Sequence, residues 1–147
     1  MKTTGIQYKI KTATEKEILF HLRECSDSFI PPLAERVSVN DYAQKIYEKS
    51  VTFEAWSDQL LVGFIAAYFN LNGSAFITNV SVLEKFGGYG IASRMLDMCI
   101  RYARKDNIQE LALDVNKYNT VEIHLYKRFG FKVHEVNGDT LAMKRQI

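Results

Sequence analysis

Glu84-Lys85-Phe86-Gly87-Gly88-Tyr89-Gly90-Ile91-Ala92-Ser93 is the stretch on which the reading of this chain turns. Before it, Ala75 to Val82 is apolar and β-branched; after it, Ile91, Met95, Met98 and Tyr102 recur at helical spacing. A strand, a glycine turn and a helix start leave several backbone N–H groups unpaired at one point, where the helix dipole adds partial positive charge. The three glycines permit positive φ and let a bulky phosphate approach the backbone without meeting a Cβ. The stretch reads as a phosphate cradle.

Composition limits what surrounds it. A chain of 147 residues, 47% hydrophobic, suits one globular domain over residues 1–147, with a substantial core and no sign of disorder. A net charge of +2 is too small to argue for nucleic acid or an anionic membrane as partner. Cys25 and Cys99 lack metal-ligand spacing and read as reduced structural thiols, so no metal is expected. Met1 to Gly5 has no apolar signal core, and the longest apolar run, Leu60 to Phe69, falls short of the ~20 residues that span a bilayer. A cytoplasmic protein is the expectation.

The remaining elements follow from periodicity and caps. Ile6, Tyr8 and Ile10 alternate with polar residues as a half-buried strand, and Thr14-Glu15-Lys16-Glu17 is a capping box opening a helix through Ile18, Leu19, Leu22 and Cys25. Phe29 to Leu33, with Pro31 and Pro32, reads as a loop, and Ser38 caps a short helix to Tyr47. Val51–Trp56 and Leu60–Tyr68 form a hairpin around Asp58-Gln59, and a turn over Asn70 to Ser74 leads to the strand Ala75–Val82. A helix to about Lys105 connects that strand to a parallel one, Glu110–Val115. Asn119, with Glu122 at the box position, caps a further helix ended by Gly130, and Lys132–Val136 and Thr140–Arg145 pair around Asn137-Gly138. The class is α+β: a mixed sheet covered by helices.

Three polar features belong to the second half. Besides the cradle, Asp114 stands near the carboxyl end of an interior strand, on the face opposite Leu111, Leu113 and Val115. A carboxylate there has a partner or faces a cleft, where it is available as a general base. Tyr126, on the following helix, offers a phenol as proton donor. Each alone has a plainer reading: a tight loop, a salt-bridged carboxylate, a core tyrosine. Together and in this order they suggest group transfer from a phosphate-bearing carrier. His124 points to a different side of its helix from Tyr126, and His21 and His134 have no partner pattern. All three read as surface or core residues.

From Ala75 to Phe131 the chain resembles the GCN5-related N-acetyltransferase (GNAT) superfamily. Val82 through Ala92 is similar to that family's acetyl-CoA pyrophosphate loop, Gln/Arg-x-x-Gly-x-Gly/Ala, with Gly90 and Ala92 at the small-residue positions. Val115 through Asn119, then Leu125-Tyr126-Lys127-Arg128-Phe129-Gly130-Phe131, match the signature V-x-x-x-N-x-x-A-x-x-L-Y-x-x-x-G-F. Two departures stand out: Gly87 where relatives carry Gln or Arg, leaving Lys85 or Arg94 to supply charge, and Glu122 where they carry a small residue.

The resemblance implies a mostly antiparallel twisted sheet of six to seven strands with about four helices, its central strands splayed. It also implies an N-acetyltransferase taking acetyl-CoA as donor and an amine as acceptor. Gly87, Gly88, Tyr89, Gly90, Ile91, Ala92 and Ser93 would bind the pyrophosphate. Val80 and Val82 would pair with the pantetheine arm, and Asn119 and Tyr126 would add side-chain contacts. Tyr126 would protonate the leaving thiolate, and Asp114 or a water chain, held by Asn79 and Ser81, would take the proton of the amine. Direct attack needs no acyl-enzyme. The acceptor is open among small amines, amino sugars and peptide termini, and a homodimer through the last hairpin is compatible with the resemblance. One alternative is a non-catalytic acyl-CoA-binding module. Another, a dinucleotide-binding domain, fails because Ser93 stands where G-x-G-x-x-G needs its last glycine.

Overall fold

Alternation in Ile6–Ile10 makes β1, and the capping box after it forms as read: Thr14 Oγ1 accepts from the Glu17 N–H at 3.2 Å while the Glu17 carboxylate accepts from the Thr14 N–H at 2.9 Å. These residues open α1 (Glu15–Cys25) in a computed structural model that describes residues 5–147, the side chains of residues 70 and 71 excepted. The expectation for the N-terminal segment falls largely on residues 1–4, outside that description. The segment read as a loop is shorter than expected, because Pro32 precedes a single-turn α2 (Leu33–Arg36); proline suits a helix start, where its missing N–H costs nothing. Ser38 caps α3 (Val39–Lys49), its hydroxyl accepting from Asp41 N–H.

The strands β2 (Val51–Ser57), β3 (Leu60–Leu71) and β4 (Ser74–Val82) form an antiparallel meander. The turn expected over Asn70 to Ser74 tightens to Asn72-Gly73, both at positive φ, as a two-residue hairpin of matching twist requires. After α4 (Ile91–Lys105) comes β5 (Glu110–Asn116), then α5 (Thr120–Arg128) and the hairpin β6 (Lys132–Asn137) and β7 (Thr140–Gln146). That hairpin turns one residue later than read: Asn137 pairs with Thr140, so Gly138-Asp139 forms the loop with glycine at its first, positive-φ position. The sheet order is β1-β2-β3-β4-β5-β7-β6, antiparallel throughout except for the parallel β4/β5 pair. This is the mixed, open seven-stranded sheet that the resemblance implies.

Two apolar layers hold it. On one face Met95, Leu96 and Cys99 of α4 pack with Phe53, Ile65, Ile77, Leu111 and Leu113, and Leu125 and Tyr126 of α5 join the same cluster. Gly63 admits α4: a Cβ there would stand 3.2 Å from the Met95 methyl and 3.1 Å from the Ser81 carbonyl. On the other face Ile18 and Leu22 of α1 and Ala43 and Ile46 of α3 pack on Trp56, Phe64 and Ala66. No helix among the described residues is long and apolar enough to cross a membrane.

A bulge in β4 decides which layer each of its residues serves. Ala66 pairs with Asn79 and Ala67 with Ile77, leaving Thr78 unopposed. Alternation therefore flips there: Ala75 and Ile77, then Val80 and Val82, belong to the α4 layer, whereas Asn79 and Ser81 are neighbours of Ala66 and Phe64 in the α1 layer. The Tyr42 hydroxyl, on α3, donates to the Thr78 carbonyl at 2.6 Å and so satisfies the bulged backbone.

Candidate active site

The parallel pairing of β4 with β5 runs from Ser74/Glu110 to Ile77/Leu113 and stops, although β4 continues to Val82 and β5 to Asn116. Beyond the bulge the two strands are unpaired, which opens a wedge in mid-sheet. Amides alternate in direction along a strand, and Leu83 N–H bonds back to Val62 O at 2.8 Å on β3. The N–H groups of Val80 and Val82 accordingly face away from β3, into the wedge. A groove of about 410 Å³ starts there, lined among others by Val80, Ser81, Val82, Gly87, Gly88, Gly90, Ile91, Ala92 and Ser93. Of the loop residues singled out in the sequence, Tyr89 does not line it.

At the far end of the groove is the N-terminus of α4. Thr14, Ser38 and Asn119 cap their helices with side chains, and each of those helices has an acidic residue in its first turn. α4 has neither: Gly90 caps it without a side-chain bond, and its first turn carries no acid. The amides of Ile91, Ala92 and Ser93 thus lack helical acceptors and their positive end is left uncompensated. Gly88 and Gly90 hold φ of +80° and +79°, a conformation that side chains resist, whereas Gly87 is extended with φ −67°. Arg94 does not enter the groove lining; its guanidinium lies over the Tyr8 ring at 4.8 Å. Arg128, in the last turn of α5, does line it.

A second cavity, about 80 Å³, opens on the wedge and shares Phe29, Val80 and Glu122 with the first; Asp114, Asn79, Asn119, Tyr126 and Arg36 also line it. Asp114 is exposed, and among the described residues no hydrogen bond or ion pair occupies its carboxylate. Asn119 caps α5 by accepting from Glu122 N–H, and its amide donates to the Glu122 carboxylate. The Tyr126 hydroxyl donates to Glu122 Oε1 at 2.9 Å. Burial raises the Glu122 carboxyl above its ordinary range against the hydrogen bonds from Tyr126 and Asn119 and the charge of Arg36. Burial also lifts the Tyr126 phenol well above its ordinary value, and the Glu122 charge beside it adds to the rise. Cavity and hydrogen bonds thus join Asp114, Asn119 and Tyr126, with Glu122 between the two cavities. That position was noted in the sequence as the box residue of the Asn119 cap and as a departure, not as a site residue; the signal was its place four residues before Tyr126, one turn along the same helix face.

His21 was read without partners and has three. It is fully buried, with Nδ1 3.0 Å from Leu61 O, and with Nε2 2.9 Å from Ser81 Oγ and 3.5 Å from Cys25 Sγ. Its helical spacing with Ile18, Leu22 and Cys25 marks it as inward-facing. Its partner on β4 was illegible because the bulge decides which face Ser81 takes. Burial lowers its pKa from 6.5 to about 4, against a smaller opposite effect of the bond to Leu61. The unfolded chain therefore takes up this proton first as pH falls, and stability drops between pH 6.5 and 4 by about 3 kcal/mol. Urea unfolding at pH 7 and pH 4.5 should show this loss, reduced in His21→Gln; equal losses in both proteins would refute it.

Among the described residues no group of three or more His, Cys, Asp or Glu is placed to hold a metal. No curated protein matches the chain by sequence. Among solved structures, it is similar to the PaiA N-acetyltransferase of Thermoplasma acidophilum in complex with coenzyme A, at 18% identity and a TM-score of 0.76 over 96% of this chain and 99% of that one. It is likewise similar to Ard1 of Thermoplasma volcanium, at 23% identity and a TM-score of 0.76 over 95% and 97%. A GNAT-family acetyltransferase of Staphylococcus aureus matches at 14% identity and a TM-score of 0.77 over 95% and 99%. These likenesses establish the fold. The profile of the Acetyltransferase (GNAT) family matches residues 17–131, most of the chain, from α1 through the Gly130-Phe131 pair. The chain belongs to the GNAT acetyltransferase family.

Proposed function

We propose that this protein is an N-acetyltransferase that moves the acetyl group of acetyl-CoA directly onto a primary amine. The observation that carries the proposal is the unpaired wedge between β4 and β5, continuous with a groove that ends on the uncapped start of α4. The pyrophosphate sits on the amides of the Gly88–Ser93 segment, with Arg128 as the nearby cation of the lining. The pantetheine arm lies in the wedge as a surrogate strand against Val80 and Val82. The Val80 amide then donates to the thioester oxygen where negative charge develops. The coenzyme supplies an activated acyl group and a thiolate leaving group. The amine loses its proton to Asp114, directly or through water, and Tyr126 protonates the departing sulfur.

Glu122 holds the Tyr126 hydroxyl, so the phenol must exchange that partner for the thiolate as negative charge builds on sulfur. Asn119 is engaged with Glu122 and lines the small cavity, so its contact with the arm requires release of that bond. The buried thiols Cys25 and Cys99 suit a reducing, cytoplasmic setting. A second copy of the chain would meet the edge strand β6, exposed along its length, if the enzyme is a dimer.

Calorimetry with acetyl-CoA, followed by a thioester-consumption assay across amine classes, tests the proposal. A binding module without turnover takes up acetyl-CoA and consumes none; absence of binding overturns the reading. Gly87 offers a second check. Its φ is ordinary and a Cβ meets only the Glu84 carbonyl, at 3.3 Å, so a side chain fits after a slight shift. Gly87→Gln should tighten acetyl-CoA binding about tenfold through one added hydrogen bond to a charged group. Unchanged or weaker binding in calorimetry would show that the backbone amides already saturate the pyrophosphate.

A further inference from the structure

Among the described residues that line the small cavity, one buried side-chain polar atom has no partner: Asn79 Oδ1, on a residue 3% exposed. Asn79 lines that cavity together with Asp114, Glu122 and Val80. The hydrogen bonds behind it fix its chemical role. Leu61 O can only accept, so His21 Nδ1 carries the hydrogen and Nε2 is left as an acceptor. Of the two groups at Nε2, the Cys25 thiol stands off at 3.5 Å, whereas the Ser81 oxygen at 2.9 Å is too close to face it as a second acceptor; the Ser81 hydroxyl therefore donates, which commits its only hydrogen. Asn79 Nδ2 lies 2.9 Å from Ser81 Oγ and 3.2 Å from Phe64 O, two atoms that can now only accept. The amide is therefore oriented, since a flipped group would set its oxygen against two acceptors. From Leu61 through His21, Ser81 and Asn79 the chain of donors runs one way and ends on an oxygen that needs an N–H or O–H from whatever enters the cleft. Burial keeps His21 neutral and so keeps this polarity at neutral pH.

We infer that Asn79 Oδ1 orients the acceptor nitrogen by accepting one of its hydrogens, and that this selects unsubstituted primary amines over N-alkylated ones. The inference rests on the acetyltransferase reading and adds a positioning residue to it. A neutral primary amine has two hydrogens and a lone pair. One hydrogen goes to Asn79, the lone pair forms the N–C bond as the C–S bond breaks, and the other hydrogen leaves as a proton to the base. An N-methyl amine has a single hydrogen and cannot satisfy both. The carboxylates of Asp114 and Glu122 on the same cavity draw in the ammonium form from which the neutral amine arises.

The test compares kcat/KM on the full chain with acetyl-CoA. Ethylamine, spermidine, glucosamine and an alanyl peptide are screened, and the fastest is paired with its N-methyl analogue. Wild type should prefer the primary amine at least tenfold. Asn79→Leu, close in shape, should lower kcat/KM for the primary amine 10- to 100-fold, leave the acetyl-CoA KM within twofold, and bring the primary-to-N-methyl ratio toward one. Asn79→Ser, whose small side chain threatens folding less, should show the same pattern and decides the matter if the leucine variant does not fold. Unchanged kcat/KM and ratio in the folded variant overturns the inference alone, and so does a loss shared equally with acetyl-CoA affinity. A wild type that binds acetyl-CoA yet acetylates none of the amines refutes the acetyltransferase reading and the inference with it.

Discussion

Glu54→Ala should cost about 3–5 kcal/mol of stability, the largest single-site effect expected in this chain. Glu54 sits on β2 in the α1 layer, fully buried, and its carboxylate closes the loop between β1 and α1. Oε2 accepts from the backbone N–H of Thr12 at 2.9 Å and of Ala13 at 3.0 Å, and from the Thr52 hydroxyl at 2.5 Å. Oε1 accepts from the Thr12 hydroxyl at 2.5 Å and the Trp56 indole at 3.0 Å. Alanine strands these donors, two of them on backbone that has no alternative partner. Water entering the vacated volume limits the loss. At this chain length the change corresponds to a fall in Tm of about 10 °C. Glu54→Gln separates the contributions: its oxygen can keep the Oε2 partners, but its NH2 then faces the indole N–H, so it should cost less than half as much. A thermal melt of the alanine variant within 2 °C or so of wild type would contradict the argument.

Tyr126→Phe should lower kcat about 100-fold and leave acetyl-CoA affinity within about twofold. On the proposed reading the phenol delivers its proton to sulfur only as the C–S bond breaks, so its contribution falls on the chemical step. The phenyl ring should stay in place, because Tyr126 is buried against Phe131 at a centroid distance of 5.9 Å. Glu122→Ala is the informative companion. It restores the small residue that relatives carry, frees the hydroxyl and removes the charge that raises the phenol pKa. Its alkaline limb should move to lower pH while its turnover stays above that of Tyr126→Phe. Undiminished turnover in Tyr126→Phe would remove the phenol from the mechanism.

Local signals carried the second half of the chain well, and the physical reasons are visible. The glycine turn, the Asn119 cap and the Leu125-Tyr126 to Gly130-Phe131 run each depend on residues within a few positions of one another, so spacing suffices to read them. Turn positions slipped by a residue or two where glycine could serve either of two loops, as at Asn137-Gly138-Asp139. Contacts across 40 or 60 positions were illegible: nothing near His21 announces Leu61 or Ser81, and nothing near Glu54 announces Thr12. Glu122 lay between these cases. Its spacing to Tyr126 was readable, but only the folded helix showed that it also borders both cavities.

The unopposed Thr78 gives β4 a reading frame. The ladder is in phase on both sides of it, so deleting Thr78 would close the bulge and leave Val80 and Val82 beneath α4, with Asn79 and Ser81 still in the α1 layer beside His21. Deleting Val80 instead should act like a frameshift written in three dimensions: Ser81 would be driven into the oil beneath α4 and Val82 turned toward the α1 layer, ruining chemistry and core together.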